Sequence, residues 1–192
     1  MIDSTLAVAL LAALLAAPPK PLDAEALRAR YGHLTALSAE ISQVKEGRFW
    51  ARPMRSSIRL RWTPARIEWE TRSPVRSLAV IEGDALALTD SRGQTRSLGA
   101  SGDPRLQALL SLLRAFLSLD LSAIERQYVL RFDGRELVAE LRPEATVRVF
   151  HTLRFRFDEA LALQSLELEA DGEKTRLVFD RLVLESPRSA TP

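Results

Sequence analysis

The chain contains no cysteine among its 192 residues, which excludes disulfide bonds, thiol catalysis, cysteine-ligated zinc and a lipid-modified N-terminal cysteine. Glycine and proline are sparse, at 8 and 10 residues, so the chain is neither collagenous nor of low complexity. Charges of the two signs nearly balance, and the formal charge of +2 gives little ground for a nucleic-acid partner. What is present is a hydrophobic share of 46%, enough for one globular domain with a substantial core.

The composition of the N-terminus predicts an export signal. Leu6 to Ala17 is an unbroken apolar run, too short to span a bilayer and about as long as a signal-peptide core. Asp3 precedes it and no basic residue does, which departs from the usual pattern, so a buried N-terminal helix is the alternative. We predict a signal peptide and leader at 1–24, a single domain at 25–185 and a disordered tail at 186–192.

Two segments show helical spacing. Leu27, Tyr31, Leu34 and Leu37 recur every three or four residues and predict an amphipathic helix from about Leu22 to Ala39. A second helix is predicted from Pro104 to Leu121, with Asp103 as its N-cap. Its leucine stripe is wider than one surface helix normally buries. Either the stripe is ordinary core packing, or the helix is a lid over an apolar cavity.

Between and after these helices the hydrophobic period changes to two. In each run the apolar residues alternate with polar ones, as in half-buried strands; the apolar members are Ile58, Leu60, Trp62, Ile67, Trp69, Tyr128, Leu130, Phe132, Leu153, Phe155, Phe157, Leu166 and Leu168. Turn signals at Gly83, Gly93, Gly134 and Gly172 predict hairpins. The phase shift between Phe179 and Leu182 predicts a bulge. The fold class is therefore α+β, a curved antiparallel sheet with helices on one face.

Catalytic motifs are scarce. The sequence has no glycine-rich phosphate loop, no serine elbow and no histidine pair at metal-ligand spacing, and His33 and His151 are far apart. Most acids and arginines alternate along strands, as on a solvated outer face. For Arg59, Arg61, Arg154 and Arg156, contact with anionic headgroups or an acidic partner is the alternative. We predict a protein that is not an enzyme and that has no cofactor or metal.

Three segments carry a pattern more specific than their periodicity. One is Trp69-Glu-Thr-Arg-Ser-Pro74, followed by an apolar strand and the turn Glu82-Gly83-Asp84. Another is Ile41-Ser42-Gln43 after the first helix, and the third is the hairpin at 153–182. Together they resemble the LolA family of periplasmic lipoprotein carriers, and the resemblance extends over about residues 31–184. Pro104, the leucine helix and Leu119-Asp120-Leu121 look most like the LolA-related proteins of aryl-polyene pigment loci.

This resemblance implies an incomplete β-barrel whose concave face is covered by helices. It also implies a periplasmic carrier that shelters the acyl chains of a lipoprotein or lipid cargo, with an inner-membrane donor and an outer-membrane acceptor. We expect a monomer that binds no nucleic acid. Alternatives are an envelope sensor or adaptor with a LolA-like lipid-binding domain, a pigment-lipid transport accessory protein, or an enzyme acting on such a lipid.

The family places a basic residue before the proline where this chain has Thr63-Pro64, and that residue contributes to lid behaviour and cargo handoff. Whether Thr63 changes the handoff stays open, and Arg66 is a candidate substitute. The predicted ligand-binding residues are apolar side chains of strands and of the lid helix: Ile58, Leu60, Trp62, Ile67, Trp69, Leu78, Val80, Leu109, Leu113, Phe116 and Leu117. For any one of them, plain core packing is an equally good explanation.

Overall fold

The computed structural model describes residues 21–48, 51–99, 103–145 and 148–187. Residues 1–20 of the predicted leader and 188–192 of the predicted tail therefore lie outside the described ranges. Within these ranges the elements, in chain order, are α1 (Ala24–Tyr31), β1 (Ala36–Gly47), β2 (Met54–Trp62), β3 (Arg66–Ser73), β4 (Ser77–Glu82), β5 (Ala85–Thr89), β6 (Thr95–Gly99), α2 (Pro104–Ser118), α3 (Leu121–Glu125), β7 (Tyr128–Asp133), β8 (Glu136–Leu141), β9 (Thr152–Phe157), β10 (Leu163–Ala170) and β11 (Glu173–Glu185).

The strands form one curved, unclosed antiparallel sheet of 11 strands, in the order β6-β5-β4-β3-β2-β1-β11-β10-β9-β8-β7. β6 and β7 are its edges, and α2 and α3 lie between them in sequence. The predicted α+β class is confirmed. None of the helices in the described ranges combines the length and hydropathy needed to cross a bilayer.

The alternation of each strand creates two chemically different faces. The inner face packs against the helices: the ring of Tyr31 in α1 contacts Phe157, and the ring of Phe116 in α2 contacts Phe155 and Tyr128. Ile41, whose strand β1 lies at the centre of the sheet, points to the same inner side and is buried. The helices therefore lie on the apolar inner face that the alternation predicted and cover part of it.

The outer face is polar and carries ion pairs between neighbouring strands. Arg59 lies 3.3 Å from Glu40 and 3.8 Å from Glu70, and Arg61 lies 3.3 Å from Glu68. These side chains are substantially exposed, so each pair adds little to the free energy of unfolding. Arg59 and Arg61 therefore lie on a solvated outer face, as the alternation of acids and arginines predicted.

The predicted bulge lies in β11. Phe179 pairs with Ile41 and Arg181 pairs with Glu40, which leaves Asp180 without a cross-strand partner. The Ser42 hydroxyl donates a hydrogen bond of 2.5 Å to the Asp180 carboxylate. The extra residue shifts the alternation, so that Phe179 and Leu182 both face inward. The predicted hairpin glycines have positive φ angles, for example 56° at Gly83 and 81° at Gly172.

The first helix prediction was wrong in its extent. α1 ends at Tyr31, and from Ala36 the chain is the central strand β1, which hydrogen-bonds β2 on one side and β11 on the other. Leu37 is buried, as the helical spacing suggested, but as the cross-strand neighbour of Trp62. Pairing on both edges outweighed the local pattern, which fits a helix and a buried strand equally well over so few residues.

The second helix prediction was right in place but too long. α2 stops at Ser118, and Leu119 adopts a left-handed conformation with φ of 50°. The Asp120 amide donates to Ala115 and the Leu119 amide to Phe116, which closes the helix in a Schellman motif. The Asp120 carboxylate then caps the short helix α3. Two helices meeting at Leu119 explain part of the overwide leucine stripe.

Candidate functional site

The strand register brings five of the predicted ligand-binding residues together on the inner face. On β2, Ile58, Leu60 and Trp62 point inward, and the pairs Leu60–Trp69 and Trp62–Ile67 place β3 beside them. Trp69 is half-buried, whereas the other four are buried. Trp69 is thus the member of this group with surface to offer a ligand.

Leu78 and Val80 are not brought to this group. In the β3–β4 register they pair with Glu70 and Glu68, which places them on the outer face. Their neighbours Ala79 and Ile81 point inward instead. The segment Leu78 to Ile81 is apolar throughout, so the sequence carries no alternation that would identify the inward side.

Helix α2 contributes a line of partly exposed leucines. Leu106, Leu109, Leu113 and Leu117 follow one helical stripe and are half-buried, although Leu110 and Phe116 beside that stripe are buried. We call Leu106, Leu109, Leu113 and Leu117 the lid stripe. Of the four predicted helix residues, Phe116 belongs to the core and three belong to the lid stripe.

The described residues leave part of the inner face open to solvent. Beyond β4, the inward residues Leu88 and Leu98 remain 42% and 48% exposed, and Leu86 between them is half-buried. We call Leu86, Leu88 and Leu98 the open flank. Sequence reasoning missed it, although the alternation of leucine and alanine in Ala85 to Leu88 was an available signal.

The open flank is continuous with the core through one row of inward residues. Trp62 pairs with Ile67, Ile67 with Ile81, Ile81 with Leu86, and Leu86 with Leu98. The row therefore runs across five strands, from a buried indole to a leucine with half of its surface in solvent. An apolar ligand that binds the open flank would therefore contact apolar side chains along the whole row, from Leu98 to Trp62.

One polar contact ties α2 to the sheet. The Arg114 guanidinium donates a hydrogen bond to the carbonyl oxygen of Gly83, in the turn between β4 and β5. Arg114 was not among the predicted residues, because its partner is 31 positions away in sequence.

The turn from Thr63 to Arg66 makes no such link. Its backbone closes with bonds of 2.8 and 3.2 Å between the two residues. The Arg66 side chain turns to the outer face, with Nε 2.9 Å from Glu68 and a terminal nitrogen 3.0 Å from Glu82. Arg66 is therefore directed away from α2, whereas Arg114 joins that helix to the sheet.

Titratable groups near the inner face are few. Burial raises the pKa of Tyr31 and of Tyr128 to about 12. His151 lies at 3.5 Å from Asp171 on an exposed turn. Within the described ranges no group of three or more His, Cys, Asp or Glu is placed to hold a metal ion.

Leu60 of the sheet and Leu110 of α2 are both buried in one hydrophobic core. An open depression of about 390 Å³ lies instead among charged outer-face residues such as Arg59 and Glu68. A ligand on the inner face would therefore replace contacts that the lid stripe now makes.

The family comparison matches most of this sheet. The model of the family "Outer membrane lipoprotein carrier protein LolA" matches residues 58–191, from within β2 onward. Ile41-Ser42-Gln43 precedes the matched region. A search of the curated proteins finds no match.

The solved structures that this chain matches are distant from it in sequence. A domain from Vibrio parahaemolyticus described as an outer membrane lipoprotein-sorting protein is 11% identical, with 88% of this chain and 92% of that chain covered at a TM-score of 0.44. A LolA superfamily protein from Nitrosomonas europaea is 9% identical, with 86% and 94% covered and a TM-score of 0.41. The lipoprotein LppX from Mycobacterium tuberculosis is 13% identical, with 81% and 94% covered and a TM-score of 0.39.

The family match spans well over half of the 192 residues, and the resemblance first seen in short motifs is confirmed at the level of the family. This chain belongs to the LolA family of outer membrane lipoprotein carrier proteins.

Proposed function

We propose that this protein is a periplasmic carrier that shelters the acyl chains of a lipoprotein or lipid between α2 and the inner face of the sheet. The observation that carries the proposal is the combination of the lid stripe with the open flank. Both are apolar, both retain exposed surface, and the row of inward residues from Leu98 to Trp62 connects the flank to the core.

Hydrocarbon burial supplies enough free energy for this role. Each buried methylene contributes about 0.8 kcal/mol, so a chain of roughly sixteen carbons has a ceiling near 13 kcal/mol before the opposing costs of binding. Because the cargo replaces contacts of the lid stripe, much of this gain is offset. A moderate net affinity is what a carrier needs if its cargo is to leave again.

The family and the predicted leader support a physiological setting for this carrier. We propose that the cargo is received from an inner-membrane donor and passed to an outer-membrane acceptor. Leu22 is buried and the Asp23 carboxylate caps α1, accepting from the Ala26 amide at 2.7 Å. We therefore expect leader cleavage before Leu22, so that both residues stay in the domain; intact mass of the exported protein measures the site.

The direct test is lipid binding by purified protein. We expect mass spectrometry of organic extracts to detect a co-purified acyl lipid, and we expect the protein to return that lipid unchanged after incubation. The identity of the lipid also distinguishes a general carrier from a LolA-related protein of the aryl-polyene loci. The assignment to those loci stays a prediction.

A pair of variants on α2 makes the test specific. Leu113→Asp places a charge in the lid stripe and should lower affinity for a fluorescent fatty-acid probe at least tenfold, because an unpaired carboxylate disfavours the apolar site. Ser111→Asp puts the same charge on the exposed side of the same helix and should leave binding unchanged. Equal binding by wild type and folded Leu113→Asp would contradict the proposed site.

A further inference from the structure

Trp62 carries a buried polar atom without a partner. It is the last residue of β2, it is 5% exposed, and its indole Nε1 is buried without a hydrogen-bond acceptor in the described part of the chain. A buried donor without an acceptor disfavours the folded state, so such groups are rare and usually have a reason.

The described cross-strand neighbours of Trp62 offer its indole no acceptor. Its cross-strand neighbours on the inner face are Leu37 on one side and Ile67 on the other, and neither side chain has an acceptor. Phenylalanine or leucine would fill an apolar core without burying an N–H group. The indole nitrogen is therefore a cost that apolar packing does not require.

Trp62 also lies at a rim of the sheet. The residue after it, Thr63, is exposed and opens the turn to β3. A group held at Trp62 is thus within a residue's length of solvent, while the row of inward residues leads from Trp62 over Ile67 and Ile81 to the open flank. This is a suitable position for the head of an acyl chain whose tail lies on the inner face.

We propose that the Trp62 Nε1–H group donates a hydrogen bond to the carbonyl oxygen at the head of the cargo's acyl chain, in an ester or an amide. The proposal rests on the proposed carrier function and deepens it. A hydrocarbon tail has no hydrogen-bond acceptor, but the ester or amide that links it to the headgroup has a carbonyl oxygen. This oxygen loses its water when the first methylenes of the tail are buried. Pairing this oxygen with Trp62 satisfies both groups, so the site selects acyl chains over alkyl chains of equal length.

A matched set of single-chain lipids tests this selection, at concentrations below micelle formation. The probes are 1-palmitoyl-lysophosphatidylcholine, its 1-O-hexadecyl ether analogue without the carbonyl, and N-palmitoylglycine as the amide. We expect wild type to bind the ester about 3- to 10-fold more tightly than the ether, as one buried hydrogen bond predicts. The ester and amide arms distinguish the two kinds of acyl linkage.

Two conservative variants assign the effect to one indole. Trp62→Phe keeps an aromatic ring and removes the donor, so it should abolish the preference for ester over ether. Trp69→Phe removes an indole from the neighbouring strand on the same face and should change both affinities by the same factor. Retention of the preference by Trp62→Phe would overturn the proposal.

Nuclear magnetic resonance on the wild-type protein adds a readout that does not depend on the affinities of the variants. The chain has three tryptophans, so the indole N–H signals are few and Trp62→Phe identifies one of them. That signal should move on addition of the ester and stay in place with the ether. Binding of both lipids without ester preference would refute the role of Trp62 and leave the carrier function standing, whereas binding of neither lipid would refute both.

Discussion

Both tyrosines of the chain are buried, and each uses its hydroxyl group to join distant segments. The Tyr31 hydroxyl donates to the Leu161 carbonyl at 2.9 Å and accepts from the Leu163 amide at 3.0 Å. The Tyr128 hydroxyl donates to the Phe150 carbonyl at 3.1 Å. Ionisation would bury a charge and lose these donated bonds, which agrees with the rise of each pKa to about 12.

The two tyrosines predict a loss of stability in alkali. An unfolded tyrosine has a pKa near 10, so the unfolded chain loses its protons first. The stabilisation is therefore complete below about pH 10 and falls as the pH rises toward 12. Absorbance at 295 nm should show phenolate formation well above pH 10 in native protein and near pH 10 in guanidinium chloride. A native midpoint near 10 would contradict the burial of both hydroxyls.

Among the elements, the strands were the most predictable from sequence and the apolar segment around Leu78 was the least. Ile58 to Trp62 alternates strictly with arginine, so only one face of that strand can be buried. In Leu78 to Ile81 every residue is apolar, and only the pairing of Ile67 with Ile81 decides which side faces the helices. Two features depend on tertiary geometry and cannot be predicted from any local sequence pattern. They are the contact of Arg114 with Gly83 and the unpaired indole of Trp62.

A pair of lysine substitutions tests this assignment of faces. Trp69 and Leu78 are both half-buried on adjacent strands, but they lie on opposite sides of the sheet. Trp69→Lys should lower affinity for a fluorescent fatty-acid probe at least tenfold, because it puts a cation on the inner face. Leu78→Lys places the cation beside Glu70 and should leave the affinity within about twofold of wild type. Loss of binding in Leu78→Lys alone would reverse the assignment.

For the whole molecule, the proposed function makes the closed conformation a competitor of the cargo. On this proposal the lid stripe and the acyl chain require the same inner surface, so the cargo binds only the fraction of molecules in which α2 has moved. The apparent dissociation constant is the intrinsic one divided by that fraction. Contacts that hold α2 down, such as the bond from Arg114 to Gly83, should therefore weaken cargo binding at equilibrium.

Removing the hydrogen bond from Arg114 to Gly83 should increase the affinity for cargo, although the substitution removes a contact. Arg114→Met keeps an unbranched apolar stem but loses the hydrogen bond, which is worth about 0.5–1.5 kcal/mol. The open fraction should rise, so the affinity for a fatty-acid probe should increase about 2- to 10-fold, and the amides of α2 should exchange hydrogen faster than in wild type. The amides of the central strands β1 and β11 should exchange as before, because the sheet does not depend on this contact.

The matched control is Arg105→Met on the same helix. The Arg105 side chain is exposed and makes no hydrogen bond or ion pair that the structure records within the described ranges, so this variant should match wild type in affinity and exchange. Weaker probe binding by Arg114→Met would mean that the bond to Gly83 persists in the loaded state. In that case α2 would keep its hydrogen bond to Gly83 while it holds the cargo against the sheet. The acyl chain would then displace only the contacts of the lid stripe.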